Sequence, residues 1–146
     1  MPLLDRAHEF FTALNAQDLD RAVAMLGPSV AVRTPLGSFV GREAYRNWIA
    51  AHFRAIPDFT HEIRGMAAAA DQTLAFELHA SGTFTGPLAM PDGDVAPTGR
   101  SIDVSAVDLW RFEGALVVEY HLYFDRLDFL GQLGLAPDGR MAQPAA

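Results

Sequence analysis

The chain has 146 residues, 50% hydrophobic, 10% aromatic and 20% charged, which fits one globular domain and excludes a disordered or collagen-like chain. Eleven basic against eighteen acidic groups leave a net charge of −7, which argues against a nucleic-acid groove or an anionic membrane as partner. Cysteine and lysine are both absent, which removes disulfides, thiolate nucleophiles, Schiff-base chemistry and the lysine of a phosphate-binding P-loop.

Leu3, Leu4, Ala7, Phe10, Phe11 and Leu14 recur at helical spacing and predict an amphipathic first helix. Asp5, Arg6 and Glu9 stand where a signal peptide needs its apolar stretch, and no run approaches the ~18 apolar residues of a membrane span. A cytoplasmic protein is expected. Asp18 is placed to cap a short second helix carrying Leu19, Ala22, Val23 and Leu26, stopped by Gly27-Pro28. Val30 to Thr34 reads as a strand ended by Pro35 and Gly37. Gly41 to Ala55 is a third helix whose apolar face holds Ala44, Tyr45, Trp48 and Ile49, with His52 or Phe53 beside them.

After residue 58 the period becomes strand-like. Thr60 to Ala69 and Thr73 to Thr85 form a hairpin about Ala70-Asp71-Gln72. Gly86 to Pro97 is too rich in glycine and proline to be regular. Strands follow from Arg100 to Phe112 and from Leu116 to about Phe124, joined at Glu113-Gly114, and a helix from Asp125 to Leu133 ends at Gly134. Helices first and antiparallel strands second give an α+β layout, with helices on one face of a curved sheet. One domain over residues 1–134 is expected, followed by a flexible Pro/Ala/Gly tail from 135 to 146.

The most informative segment is Val117 to Asp125, because alternation puts Glu119, His121, Tyr123 and Asp125 on one face and Val118, Tyr120, Leu122 and Phe124 on the other. An acid, an imidazole, a phenol and a second acid suit proton transfer, and they equally suit a solvated outer face. Glu77 and His79 share a face on the Thr73 strand, and Asp108 and Trp110 lie on the Arg100 strand, so three strands of a concave sheet could converge on one cavity. The bland reading of Glu77 and His79 is a cross-strand pair at the rim. The two Glu-x-His pairs, Glu77/His79 and Glu119/His121, are too easily met by chance to assign a metal, and none is expected. Trp48, His52 and Phe53 read as core or pocket lining. No serine sits in a Gly-x-Ser-x-Gly turn.

The order of Phe39-Val-Gly-Arg-Glu-Ala-Tyr45, Ile56-Pro-Asp-Phe59, Ser81-Gly-Thr-Phe-Thr-Gly86, Ala96-Pro-Thr-Gly-Arg100 and Glu119 to Gln132-Leu-Gly134 resembles the SnoaL-like polyketide cyclase family. The resemblance spans about residues 5–134. It implies the nuclear transport factor 2-like fold, a cone-shaped curved antiparallel sheet wrapped around the N-terminal helices as an α+β barrel with an apolar pocket. It also implies a cofactor-independent, intramolecular aldol-type ring closure on a hydrophobic carbonyl compound. Asp125, seven positions before the Gln of Gln-Leu-Gly, matches the family's acid/base, and Glu119 matches another recurring position. The chain departs from the family pattern at Phe84, where a histidine is common, and at His121, where a tryptophan is common.

Together these readings make Asp125 and His121 the catalytic candidates, with the Asp125 pKa raised by an apolar wall and by Glu119. Tyr123, Glu119, His79, Trp48, His52, Phe84, Asp108 and Trp110 are the substrate-binding candidates. A non-catalytic small-molecule-binding domain is the alternative. An epoxide hydrolase is disfavoured, because its Asp-Arg-Asp set needs an Arg-x-Asp pair where this chain has Glu77-x-His79. A twofold homodimer is expected through Val118, Tyr120, Leu122 and Phe124, and the Gly86–Pro97 segment is expected to be a lid or an exchanged arm with Leu88, Met90 and Val95 shielded.

Overall fold

A computed structural model describes residues 2–138. Its elements are α1 (Leu3–Asn15), α2 (Leu19–Val23), β1 (Leu26–Thr34), β2 (Gly37–Val40), α3 (Arg42–Ala55), β3 (Thr60–Ala70), β4 (Thr73–Thr83), β5 (Leu88–Met90), β6 (Gly93–Val95), β7 (Ser101–Glu113), β8 (Leu116–Tyr123) and α4 (Arg126–Leu133). Six strands form one sheet in the order β2-β1-β8-β7-β4-β3, and β5 pairs only with β6. The curved sheet packs against the helices as an α+β fold. It does not close, so the barrel of the expectation is an open sheet whose edges are β2 and β3. The β1–β8 pair is parallel, because the chain returns to β1 from the far side after building the rest of the sheet.

Alternation decides which side of each strand is core. Leu74, Phe76, Leu78 and Ala80 of β4 and Ile102, Val104, Ala106, Asp108, Trp110 and Phe112 of β7 are all buried on the inner face. Against them α1 lays Ala7, Phe10, Phe11 and Leu14. Trp110 is the hub: Phe10 and Phe76 meet it edge-on at 5.2 and 5.1 Å, and Phe11 stacks on it at 5.7 Å. No helix among the described residues is long and apolar enough to cross a membrane.

Two of the motifs behind the family resemblance form a joint. The Asp58 carboxylate accepts the Thr83 backbone N–H at 2.7 Å and the Thr83 hydroxyl at 2.9 Å, and these bonds hold its pKa below the usual carboxylate range. The strand leaving this joint crosses the end of α3 so closely that a Cβ on Gly86 would lie 1.9 Å from the Arg54 carbonyl oxygen, so only glycine fits. Ser81 to Gly86 is therefore a packing motif in this chain.

Several expectations change. The second helix stops at Val23, and Leu26-Gly-Pro begins β1, because Leu26 pairs with Val117 of β8. Gly37–Val40 is a strand that turns back on β1. The Gly86–Pro97 segment holds the small β5–β6 hairpin, tied to α3 by an Arg54–Asp94 ion pair of 3.0 Å. Leu88 is buried and Met90 and Val95 pack on the core as expected, yet none of the three lines the internal cavity, so the lid reading fails. Leu135 is buried, which moves the start of any tail beyond it; residues 139–146 lie outside the described residues.

Candidate functional site

A half-open cavity of about 60 Å³ lies between the inner face of the sheet and α3, several times the space one water requires. Tyr45, Trp48, Ile49 and His52 of α3 form one wall. Leu78, Ala80, Ile102, Val104 and Ala106 form the floor on β4 and β7. Leu122 and Phe124 with Phe129 of α4 close one side, so α4 is the element that completes the enclosure. Most of the wall is hydrocarbon, and the few polar atoms that reach it fall into two groups.

The first group is a pair of imidazoles. His52 Nδ1 meets the Trp48 carbonyl oxygen at 2.8 Å, and a carbonyl only accepts, so Nδ1 carries the proton. His61 Nδ1 faces the Asn15 side-chain oxygen at 3.4 Å, and that oxygen also accepts the His61 backbone N–H at 2.8 Å. Asn15, at the end of α1, thus fixes the ring as a neighbouring strand would. Both bonds use Nδ1 and leave Nε2 as the basic nitrogen. Burial lowers the His52 pKa, and it pushes His61 down to about 4 with help from the neighbouring His52. Two neutral imidazoles thus line one cavity.

The second group is a carboxyl and two phenols. Asp108 is fully buried on the inner face of β7, and Trp110 Nε1 donates to its Oδ2 at 3.1 Å. The Tyr120 hydroxyl interacts with the same carboxyl and lies 3.3 Å from the Tyr45 hydroxyl. Desolvation raises the Asp108 pKa to about 8 despite the bonds from Trp110 and Tyr120, so the carboxyl is largely neutral at pH 7. Burial also raises both tyrosines, Tyr45 to well above its usual value, which keeps them as hydroxyl donors. Among the described residues no cluster of three metal-ligating side chains occurs.

The sequence matches the SnoaL-like domain family over residues 7–120, most of its length. The chain belongs to that family. No curated protein matches it. Among solved structures, a candidate SnoaL-like polyketide cyclase from Jannaschia superimposes with a TM-score of 0.78 at 19% identity, covering 92% of each chain. A candidate polyketide cyclase from Silicibacter gives 0.72 at 23% identity over 88% of this chain and 92% of that one. IdmH from Streptomyces antibioticus, another candidate polyketide cyclase, gives 0.73 at 20% identity over 90% and 97%. At these identities the likeness establishes the nuclear transport factor 2-like fold.

Within this SnoaL-like fold the two faces of β8 are inverted relative to the expectation. Tyr120, Leu122 and Phe124 point inward to the cavity, while Val118 sits at an irregularity in the β7–β8 register. Tyr120, Leu122 and Phe124 therefore do not make up the outer apolar patch expected of them. Glu119, His121 and Tyr123 share the outer face: Glu119 accepts from Arg111 at 3.2 Å, which lowers its pKa, and the His121 and Tyr123 rings meet edge-on at 6.5 Å. Asp125 is exposed and caps α4, accepting the Asp128 N–H at 3.0 Å, so the apolar wall expected to raise its pKa is not beside it. His79 pairs with Asp103 on the outer side of the sheet.

Of the expected binding residues, Trp48 and His52 line the cavity, while Asp108 is buried outside its lining. Trp110 and Phe84 are fully buried and outside the lining. His61, Tyr45 and Tyr120 also line the cavity, a place that the sequence reading did not assign to them. The alternation of Phe59, His61 and Ile63, two of them apolar, was the available signal for His61.

Proposed function

We propose that this chain is a cofactor-independent enzyme of cyclase or isomerase type, moving a proton at a carbon next to the carbonyl of a small apolar substrate. The observation that carries the reading is the pair of neutral imidazoles, each fixed through Nδ1, on a mostly hydrocarbon cavity. A neutral Nε2 takes the proton from the α-carbon while the C–H electron pair moves onto the carbonyl oxygen as an enolate. The imidazolium formed is a strong acid in this dry site and returns the proton to the substrate carbon. The acid–base role read for Asp125 thus passes to His52 and His61, because the Asp125 carboxylate is solvated and already engaged as a helix cap. The apolar wall equally suits retention of a ligand without reaction, and one experiment separates the two.

Exchange of the α-protons of cyclopentanone in D₂O, followed by NMR, reads the step directly. His52→Asn and His61→Asn each keep a donor near Nδ1 and delete Nε2, so the double variant should lose about 10²–10⁴-fold of the exchange rate. Wild-type exchange no faster than buffer would leave a binding domain, and a double variant as active as wild type would take the base role away from the two imidazoles.

A further inference from the structure

The cavity is small for the apolar surface that surrounds it. Its 60 Å³ has room for about four to six water-sized groups, enough for a carbonyl with its neighbouring carbons and little more. The apolar wall continues outward. Among the described lining residues, Leu36, Trp48, His52, Leu122 and Phe124 keep part of their surface in solvent, and the others are buried. These five therefore frame the mouth, and all but His52 are apolar.

Different elements put them there. Leu36 sits in the two-residue turn between β1 and β2, where Thr34 pairs with Gly37. The buried Thr34 side chain accepts the Leu36 N–H at 3.0 Å and donates to the Gly37 carbonyl oxygen at 2.9 Å, so the turn is pinned from within. Trp48 of α3 packs on Phe39 of β2 with ring centres 5.8 Å apart, which carries the apolar surface past the mouth. Phe124 follows β8, and the buried Phe129 of α4 meets it edge-on at 5.4 Å. The rim is held in place, and its hydrocarbon runs from inside to outside.

A ligand confined to the cavity leaves this rim wet. An apolar tail laid through the mouth covers it, with a gain that grows with each methylene removed from water. We propose that the chain binds its ligand in two parts: a small carbonyl head inside the cavity, and an alkyl tail that leaves between Leu36 and Phe124 and rests on the rim. This rests on the carbonyl-substrate reading above and narrows it to a ketone or aldehyde longer than the cavity, with Leu36 as the residue that sets the preference for length. A charged tail is disfavoured, because the hydrocarbon rim replaces none of the hydration it would lose.

The test follows butanone, hexan-2-one and octan-2-one by NMR titration, a series that keeps the head and lengthens the tail. A half-covered methylene contributes about half of full burial, so affinity for wild type should rise about twofold per carbon, or about 10- to 20-fold from butanone to octan-2-one. Leu36→Asn, close to leucine in size but polar, should lower the octan-2-one to butanone affinity ratio by about threefold, and Leu36→Met should restore it. Intermolecular NOEs should join the terminal methyl of octan-2-one to Leu36 and Phe124, and its C1 methyl to the buried Ile49.

Affinity that stays flat or falls along the series would overturn the two-part mode. The same holds for an unchanged ratio in Leu36→Asn, or for terminal-methyl NOEs to Ile102 and Val104 of the floor. Rim signals that shift on dilution of the unliganded protein, with no rise along the series, would give the rim to a second copy and overturn it equally. A rise with rim NOEs but without α-proton exchange would uphold the tail site and end the enzymatic reading. Exchange of the butanone α-protons with a flat series would do the reverse.

Discussion

Asp125 and Asp108 belong to adjacent strands of the same sheet, one just past the end of β8 and the other in the middle of β7. Asp125 faces water and spends its carboxylate on the N–H of Asp128 at 3.0 Å. Asp108 faces inward, has one oxygen without a partner, and is pushed to a pKa of about 8. The difference is solvent: one carboxyl follows its strand into water as a helix cap, and the other is buried on the inner face of the sheet, where desolvation favours its neutral form. Chemistry in this protein follows desolvation more than residue type: the carboxyl most visible in the sequence is the ordinary one.

The strongest way to break the contrast is to remove the group that holds Asp108 in its dry setting. Trp110→Ala deletes a fully buried indole that packs on Phe10, Phe11, Phe76 and Tyr120, and should cost about 3–5 kcal/mol in urea unfolding. A loss below about 1 kcal/mol would mean that this cluster does not organise the core.

A sharper test uses pH. Between about pH 4 and 8 native Asp108 keeps a proton that the unfolded chain has released, so its contribution to stability is complete below pH 4 and is lost as pH rises towards 8. Asp108→Asn should therefore gain on wild type by at most about 1.4 kcal/mol per pH unit across that window, and the gap should stop growing above it. His52 and His61 act in the opposite sense, since their lowered pKa values make the native state refuse protons below about 6.5, but both proteins carry them and the difference cancels. Parallel stability curves for the two proteins would place Asp108 in a wetter site than the geometry gives it.

The smallest effect belongs to the other aspartate. Asp125→Ala should cost about 1 kcal/mol through the lost cap, Asp125→Asn should cost almost nothing, and neither should change α-proton exchange. A large loss of exchange in Asp125→Asn with an intact fold would return the acid–base role to that carboxylate.

Periodicity and capping were enough to read most elements. Asp18 was visible as an N-cap and Gly134 as a C-cap, because a cap is a contact between residues a few positions apart, while the cap role of Asp125 was hidden behind its reading as the acid/base. The alternation along β8 was also legible from Glu119 to Phe124, while the irregularity at Val118 was not. What alternation cannot say is which set points inward, since a period of two is unchanged when a strand is turned over. That choice was made by neighbours distant in sequence: β7, α3 and α1 place Trp110, Tyr45 and Phe10 against Tyr120, so the aromatic set is held inside.

The sequence by itself determined the α+β class, the family and the ends of α1, α3 and α4, all of which rest on local backbone geometry or on motif order. Only the tertiary structure decided that His61 and His52 line one cavity, that Asp108 is buried with one oxygen unpartnered, and that Asp125 stays in water. Those outcomes depend on which side chains lose their solvent together, and that is a property of the packed sheet and helices which no single segment carries.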